Sequence, residues 1–401
     1  MTTIVLVGTL DTKGAEYGYL RERVRQLGAQ TVLIDVGTGG PPTVPADITA
    51  AEVAAAAGQR LEDLAERGQA VTAMGLGAVA ICGRLLDERR LDGVIALGGS
   101  GGTYIATRVM RALPAGLPKV MVSTMTSGDI GPYVGGSDIS MTYSIVDIAG
   151  LNPILARIIA NAAASVVAAA RVRMPAQPAR PTVAASMFGV TTPCVSRARA
   201  RLSELCYDVL VFHANGTGGR SLEAMAASGS LAGVLDLTTT ELADELAGGV
   251  FSAGPGRLDA AAQAGLPQVV SLGALDIINF GPLDTLPEKM LGRNICLHNP
   301  AVTLVRTTPD ECRELGRLIG RKLSAATGPA AVFVPLRGLS ALSVKGGQFY
   351  DPDADQALID GLRETLRASV EVNELDLDIN DEAFALATAG RLHELIQEVA
   401  A

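Results

Sequence analysis

The chain predicts an α/β protein built from two Rossmann-like, doubly wound domains with mainly parallel sheets. Three observations carry the prediction. Strand-like and helix-like runs alternate along the chain. The strand-like runs, such as TIVLV and VIALGG, are continuously apolar, as strands covered on both faces are. Many of the 45 glycines fall directly after those runs, where such sheets turn into helices and bind ligands.

Element by element, residues 3–7 form a first strand and residues 14–27 a helix. A second strand at 31–35 ends on Asp35, and Ala-rich helical text fills 50–90. LDGVIALGG is a third strand, GTYIATRVMRAL a helix, and KVMVST a fourth strand. At Arg173–Pro181 three prolines fall in nine residues, which no helix continues through. We therefore read residues 1–175 as an N-terminal domain, 176–181 as a linker and 182–401 as a C-terminal domain. In the second, strands are expected at Thr182–Met187, Asp208–His213, 233–237 and 268–271. GGSGGTYIATRVM (98–110) and NGTGGRSLEAMAA (215–227) echo each other, each a strand end, a Gly-rich turn and a helix. Duplication of one domain explains the echo; convergence on the same turn chemistry is the alternative.

Composition narrows the function. Of 401 residues, 48% are apolar, 19% charged and 3% aromatic, with no Trp and a net charge of −9. That is too apolar for disorder, too acidic for phosphate backbones and too poor in rings for base stacking, so no nucleic-acid partner is expected. Any adenine would be held by aliphatic and backbone contacts. Five cysteines without a CxxC pair fit a reducing cytosol, and no signal peptide or membrane span is expected. The apolar stretch 155–172 is broken by Arg157, Asn161, Ser165 and Arg171, as a core helix is. A soluble binder of small molecules is the class that remains.

The strongest motif is GGSGGT, Gly98, Gly99, Ser100, Gly101, Gly102 and Thr103. Glycines between a strand and a helix present N–H groups, and the helix start adds partial positive charge, so the turn suits a phosphate. Ser100 and Thr103 add hydroxyls; a tight turn packed on glycine is the alternative. No GxxxxGK[ST] occurs, and GLGAVA (75–80), inside helical text, is a weak dinucleotide match. GTLDTKG (8–14) places Asp11 for a metal, a ribose or a helix cap, and Lys13 for a phosphate. Asp35 stands where such folds meet a ribose hydroxyl, or as a solvated strand end. The polar run STMTSGDIGPYVGGSD (123–138) follows the fourth strand, with Asp129 and Asp138 as candidate Mg²⁺ ligands.

In the second half, His213 and Arg220 flank the turn with Gly216, Gly218 and Gly219, a candidate second anion site. Of three histidines, His213 and His298 are the acid–base candidates, and His393 falls in an exposed terminal helix. Thr238-x-x-Glu241 reads as a capping box. Asp276 and Asn279 stand near strand ends. An alternative function follows from this set: an enzyme acting on a small phosphorylated or carboxylated compound in the cleft between the domains, with His213 or His298 as acid/base and Arg220 as anion clamp. Asp351-x-Asp353-x-Asp355 lacks the glycine of a calcium loop and reads as acidic helix capping, and Thr308-Pro309-Asp310-Glu311 as a helix start.

Taken together, GTLDTKG, ALGGSGGT, VSTMTSGD, YVGGSDI, MFGVTTPCV, VFHANGTGGRSLEAM, LDLTTTELADEL, QVVSLGALDIINFGP and FYDPDAD resemble the ATP-binding domain of the plant inhibitor of tobamovirus replication and of its uncharacterised bacterial relatives. The motifs run from Gly8 to about Ile379. The resemblance implies two Rossmann-like domains, an assembly of at least a homodimer, and adenine-nucleotide binding with Mg²⁺. The contacts it implies are Thr9, Asp11, Lys13, Gly98–Thr103, Ser123, Thr124, Ser127, Gly128 and Asp129. It supplies no catalytic mechanism, and the motifs hold no counterpart of the plant protein's C-terminal barrel.

Overall fold

Continuous apolar runs do become parallel strands here. The structure, a computed structural model, describes residues 1–64, 66–174 and 179–400. The chain divides into two compact units, Met1–Ala176 and Gln177–Ala401. Residues 176–178 of the expected linker lie outside the described residues.

In unit 1, β1 (Thr3–Gly8), β2 (Gln30–Asp35), β3 (Gly93–Gly98), β4 (Lys119–Ser123) and β5 (Ser140–Tyr143) form one parallel sheet in the order β2-β1-β3-β4-β5. Alternate side chains serve opposite faces. Ile4, Leu6, Leu33, Ile95, Leu97 and Val122 pack under α1 (Leu10–Gln26) and, later in the chain, the apolar helix Pro153–Ala170. Val5, Val7, Ile34, Val94, Ala96 and Met121 pack under α2 (Ala50–Ala56), α3 (Arg67–Asp87) and α4 (Ser100–Ala112). The single-turn helix α5 (Gly131–Val134) follows β4, and Pro153–Ala170 is α6. Leu155, Ile159, Ala163 and Val166 of α6 are buried against the sheet, which is why the helix is so apolar.

In unit 2, β6 (Thr182–Met187), β7 (Asp208–His213), β8 (Gly233–Thr238), β9 (Gln268–Gly273), β13 (Ala330–Pro335) and β14 (Glu371–Leu375) are all parallel, in the order β14-β13-β9-β8-β6-β7. α7 (Thr192–Glu204) and α13 (Glu382–Ala400) cover one face. α8 (Thr217–Ala227), α9 (Thr240–Ala247), α10 (Ala260–Gln263), α11 (Pro309–Ser324) and α12 (Pro352–Thr365) cover the other. Between β9 and α11 the chain adds an antiparallel sheet, β10 (Ile277–Phe280), β12 (Val302–Arg306) and β11 (Ile295–Asn299), which the parallel reading did not anticipate.

Both units wind the same way, second strand outside the first and the third on its other side. The echoed segments, however, are not equivalent in that order. GGSGGT follows β3, whose counterpart is β8, whereas NGTGG follows β7, the counterpart of β2. The echo is thus shared turn chemistry; the common strand order is the better mark of relatedness.

Candidate functional site

In a doubly wound sheet, ligands sit at the carboxyl edge where the winding reverses. In unit 1 that point lies between β1 and β3. Their ladder ends at Val7↔Ala96, and Tyr17 of α1 takes over: its hydroxyl accepts the Leu97 N–H at 2.7 Å and donates to the Val7 carbonyl. Burial drives this phenol well above its ordinary pKa, so it stays a donor. A side chain on Gly8 would collide with the Tyr17 ring at 2.0 Å, so this glycine is structural.

The glycines beyond β3 are different. None of Gly99, Gly101 and Gly102 has a positive φ. A Cβ on Gly99 would come no nearer than 3.8 Å to Thr124, on Gly101 no nearer than 4.0 Å to Val71, and on Gly102 no nearer than 3.6 Å to the Leu97 carbonyl. The fold therefore has room for side chains at all three positions. Only Gly98, with a Cβ 3.0 Å from Gly102 and Thr103, is tight. No side chain caps α4 or α1, whose N-caps are Gly99 and Thr9. Ser100 is exposed beside them.

The other predicted contacts divide into those at this edge and those spent elsewhere. Thr103 and Ser123 are buried and bond each other at 2.7 Å, clamping the β3–α4 turn to β4. They position the turn rather than face a ligand. Thr124, Ser127, Gly128 and Asp129 form the 3-10 turn Thr124–Ser127 and its exit, with Asp129 exposed and one oxygen on the Gly131 N–H. Lys13 gives one donor to the Ile148 carbonyl at 2.7 Å and keeps two. Asp11 does not cap α1. Its Oδ2 accepts the Gly39 N–H at 2.7 Å, while its Oδ1 is buried without a hydrogen-bond partner.

Two acids need correction. Asp35 is 2% exposed, and its Oδ1 accepts the N–H groups of Leu10 and Gly37. Burial raises its pKa, and the carboxylate ties β2 to α1 instead of meeting a ribose. Asp138 pairs with the wholly buried Lys119 at 2.5 Å and accepts the Gly116 N–H. Lys119 begins β4 and Ser123 ends it, roughly 13 Å away at ~3.3 Å per residue. Asp138 therefore stands at the opposite edge of the sheet from Asp129, and the two cannot share a metal. Among the described residues no group of three His, Cys, Asp or Glu forms a metal cage.

The second glycine turn already holds an anion. Glu241, fully buried, accepts the N–H groups of Gly216 (2.7 Å) and Gly219 (3.0 Å) and faces Arg257 Nε at 2.7 Å. It is no capping box: Thr239 is the N-cap of α9 and its side chain makes no cap. Arg257, also fully buried, bonds Asp236 at 2.7 Å and Glu223 at 3.2 Å as well. The glycines here are obligatory. Gly216 has φ +83°, and a Cβ on Gly218 would lie 1.9 Å from the His213 carbonyl. Gly216, Gly218 and Gly219 are thus filled from within, and Arg220 is spent on the Ser252 carbonyl and Thr217.

Asp276 and Asn279 are fully buried, bonded to Ser340 and Asp244 respectively, and line no open site. Burial pushes Asp244 up to about 7. His213 is exposed on edge strand β7, its ring 5.3 Å from Phe188, and His298 is exposed on β11. Neither touches a carboxylate among the described residues. His393, expected to be exposed, is half-buried and bonds Tyr207 at 2.9 Å. Tyr17 and Arg257 escaped the sequence because nothing local distinguishes them from ordinary helix and loop residues, and Glu241 looked like a capping residue because its partners lie far along the chain.

Two doubly wound α/β units, the first with a bare glycine-rich helix start at its switch point, define the class: a tandem Rossmann-like protein. The chain belongs to the uncharacterised protein family UPF0261, whose N-terminal domain matches residues 2–175 and whose C-terminal domain matches residues 180–396. A UPF0261 protein of Clostridium tetani is 46% identical over 400 residues, covering 98% of this chain and 99% of that one. A UPF0261 protein of Rhizobium meliloti is 47% identical over 401 residues with the same coverage. The ToMV resistance protein Tm-1(GCR237) of Solanum lycopersicum is 36% identical over 420 residues, covering 98% of this chain and 55% of that protein. The resemblance read from the motifs is therefore real. Among solved structures, spinosyn rhamnosyltransferase SpnG, 12% identical over 99% of this chain and 96% of its own, superposes with a TM-score of 0.22, too low to carry an argument.

Proposed function

We propose that unit 1 binds ATP with Mg²⁺ at the switch point between β1 and β3. The observation that carries this reading is the set of Gly99, Gly101 and Gly102, which the fold itself does not require. Glycine in a helix costs up to about 1 kcal/mol relative to alanine. Glycines kept where a methyl would fit point to something outside the chain that needs the backbone bare. Phosphate oxygens approaching the first-turn N–H groups of α4 have that need. Lys13 adds a cation with two free donors. Mg²⁺ bound beside phosphates asks for only one or two carboxylates. Asp11 and Asp129 follow β1 and β4 at the same edge and would supply them, Asp11 through its unpartnered oxygen.

Homodimeric assembly and a cytosolic setting belong to the same proposal, carried by the motif resemblance and by five free cysteines. Calorimetric titration of the full chain with ATP, with and without Mg²⁺, tests the reading. Absence of heat in both titrations, together with no ATP protection against thermal unfolding, refutes it.

A further inference from the structure

A hollow of about 680 Å³ opens in unit 2 at the carboxyl end of β13. The nucleotide proposal makes no use of it. Its walls include Leu336 and Tyr350, large side chains 46% and 45% exposed, together with Ile359. Its polar groups are Lys345, Gln356 and Asp355. Arg337 also reaches it but is gripped by both oxygens of Asp376, at 2.7 and 2.5 Å. Lys345 has no carboxylate partner among the described residues and is exposed, so it is the free cation of the hollow.

Asp355 is its one acid. The acidic start of α12 is present as read: Asp351 is the cap, its carboxylate accepting the Ala354 N–H, with Asp353 and Asp355 in the first turn. Asp355 also bonds Arg306 at 2.6 Å and keeps its side chain 18% exposed. Arg306 is fixed from beneath by the Phe349 carbonyl (2.9 Å) and the Thr307 hydroxyl (2.7 Å). Behind it lies Asp276, whose Oδ1 is buried with no hydrogen-bond partner. One arginine thus serves two carboxyls. Burial, aided by the Asp276 charge and opposed by Arg306, pushes Asp355 up to about 7.

We propose that this hollow is a ligand site for a small hydroxy- or amino-acid, with its carboxylate on Lys345, its hydroxyl or amino donor on Asp355, and its carbon skeleton between Leu336, Ile359 and Tyr350. A single free cation matches a monoanion. A phosphate dianion would bring two charges to one free cation with the Asp355 carboxylate beside it. The charged groups around Asp355 are Arg306 and Asp276 beneath, Asp351 on its own turn, and Arg337 and Lys345 across the hollow. Because the donor bonds the ionised carboxylate, binding strengthens as the pH rises through about 7.

Saturation-transfer NMR on the full chain tests this with lactate, 3-hydroxybutyrate, leucine and phenylalanine as probes and inorganic phosphate as counter-probe. At least one acid is expected to bind. Leu336→Trp, which fills the hollow from an exposed position, and Lys345→Met should each weaken it at least tenfold. Affinity at pH 8 should exceed that at pH 6 by about tenfold, and Asp355→Asn should abolish that difference. Gly101→Val, in unit 1, should leave it unchanged, which separates this site from the nucleotide. No binding by any of the four acids, undiminished binding in Leu336→Trp, or phosphate binding alone overturns the proposal.

Discussion

Gly101→Ala and Gly101→Val separate a structural glycine from a ligand-driven one. A Cβ at this position meets only Val71, at 4.0 Å, and the backbone is not left-handed. Alanine should therefore stabilise unit 1, by about 0.5–1 kcal/mol, through the smaller entropy of its unfolded chain. At roughly 2–4 °C per kcal/mol for a domain of this size, the melting temperature should rise by about 1–4 °C. Valine should be close to neutral. Nucleotide binding should move the other way. Losing one charge-assisted N–H bond to a phosphate is worth about 1.5–3 kcal/mol, so MgATP affinity should fall about ten- to a hundredfold. Scanning calorimetry and isothermal titration on the same samples measure both quantities. An alanine variant that melts several degrees lower would show that packing holds the glycine. A folded valine variant with the wild-type dissociation constant would refute the site.

The contrasting turn in unit 2 should behave oppositely: Gly218→Ala, with its Cβ 1.9 Å from a carbonyl, should cost about 3 kcal/mol or more. Glu241→Ala should cost about 3–5 kcal/mol, since it strands two N–H groups and part of the buried Arg257 charge; denaturant titration measures both, and wild-type stability in either contradicts the filled-turn assignment. Asp138→Asn should leave Mg²⁺-dependent ATP binding unchanged while costing about 1–2 kcal/mol, the half-exposed carboxylate being partly screened. A lost Mg²⁺ dependence would put Asp138 back at the site. Asp244, with its carboxyl raised to about 7, holds in the folded chain a proton that the unfolded chain releases near 4. Its stabilisation is complete at low pH and is lost as the pH rises to about 7, at ~1.4 kcal/mol per pH unit within that window. In Asp244→Asn the Asn279 amide, whose Oδ1 lacks a partner, can turn to pair with the new side chain. Denaturation at pH 5, 6 and 7 should show the wild type losing its advantage over this variant with rising pH; a constant difference refutes the assignment.

Much of this was legible in the chain. β6 and β7 coincide with their predicted spans, because each is written as a short, mostly apolar local run. The helix start at Thr308-Pro309-Asp310-Glu311 is present as read, and there Thr308 and Glu311 also close a capping box within one turn. Less legible were the antiparallel strands β10 to β12, interrupted by polar residues and absent from a purely parallel pattern. The acids were least legible. Asp35, Asp138, Glu241, Asp276 and Asp355 look alike in sequence, and each owes its role to a partner far along the chain.

The sequence by itself determined the α/β class, the apolar strands, the places where glycine follows a strand, and the family. Those properties depend on neighbours a few residues apart. Which glycine turn is open was decided only in three dimensions. Both turns offer the same N–H groups, but Glu241, 25 residues beyond Gly216, folds back to fill one of them. Around Gly101 no side chain among the described residues does so. An anion site is defined by what does not occupy it, and that depends on long-range packing that no local pattern encodes.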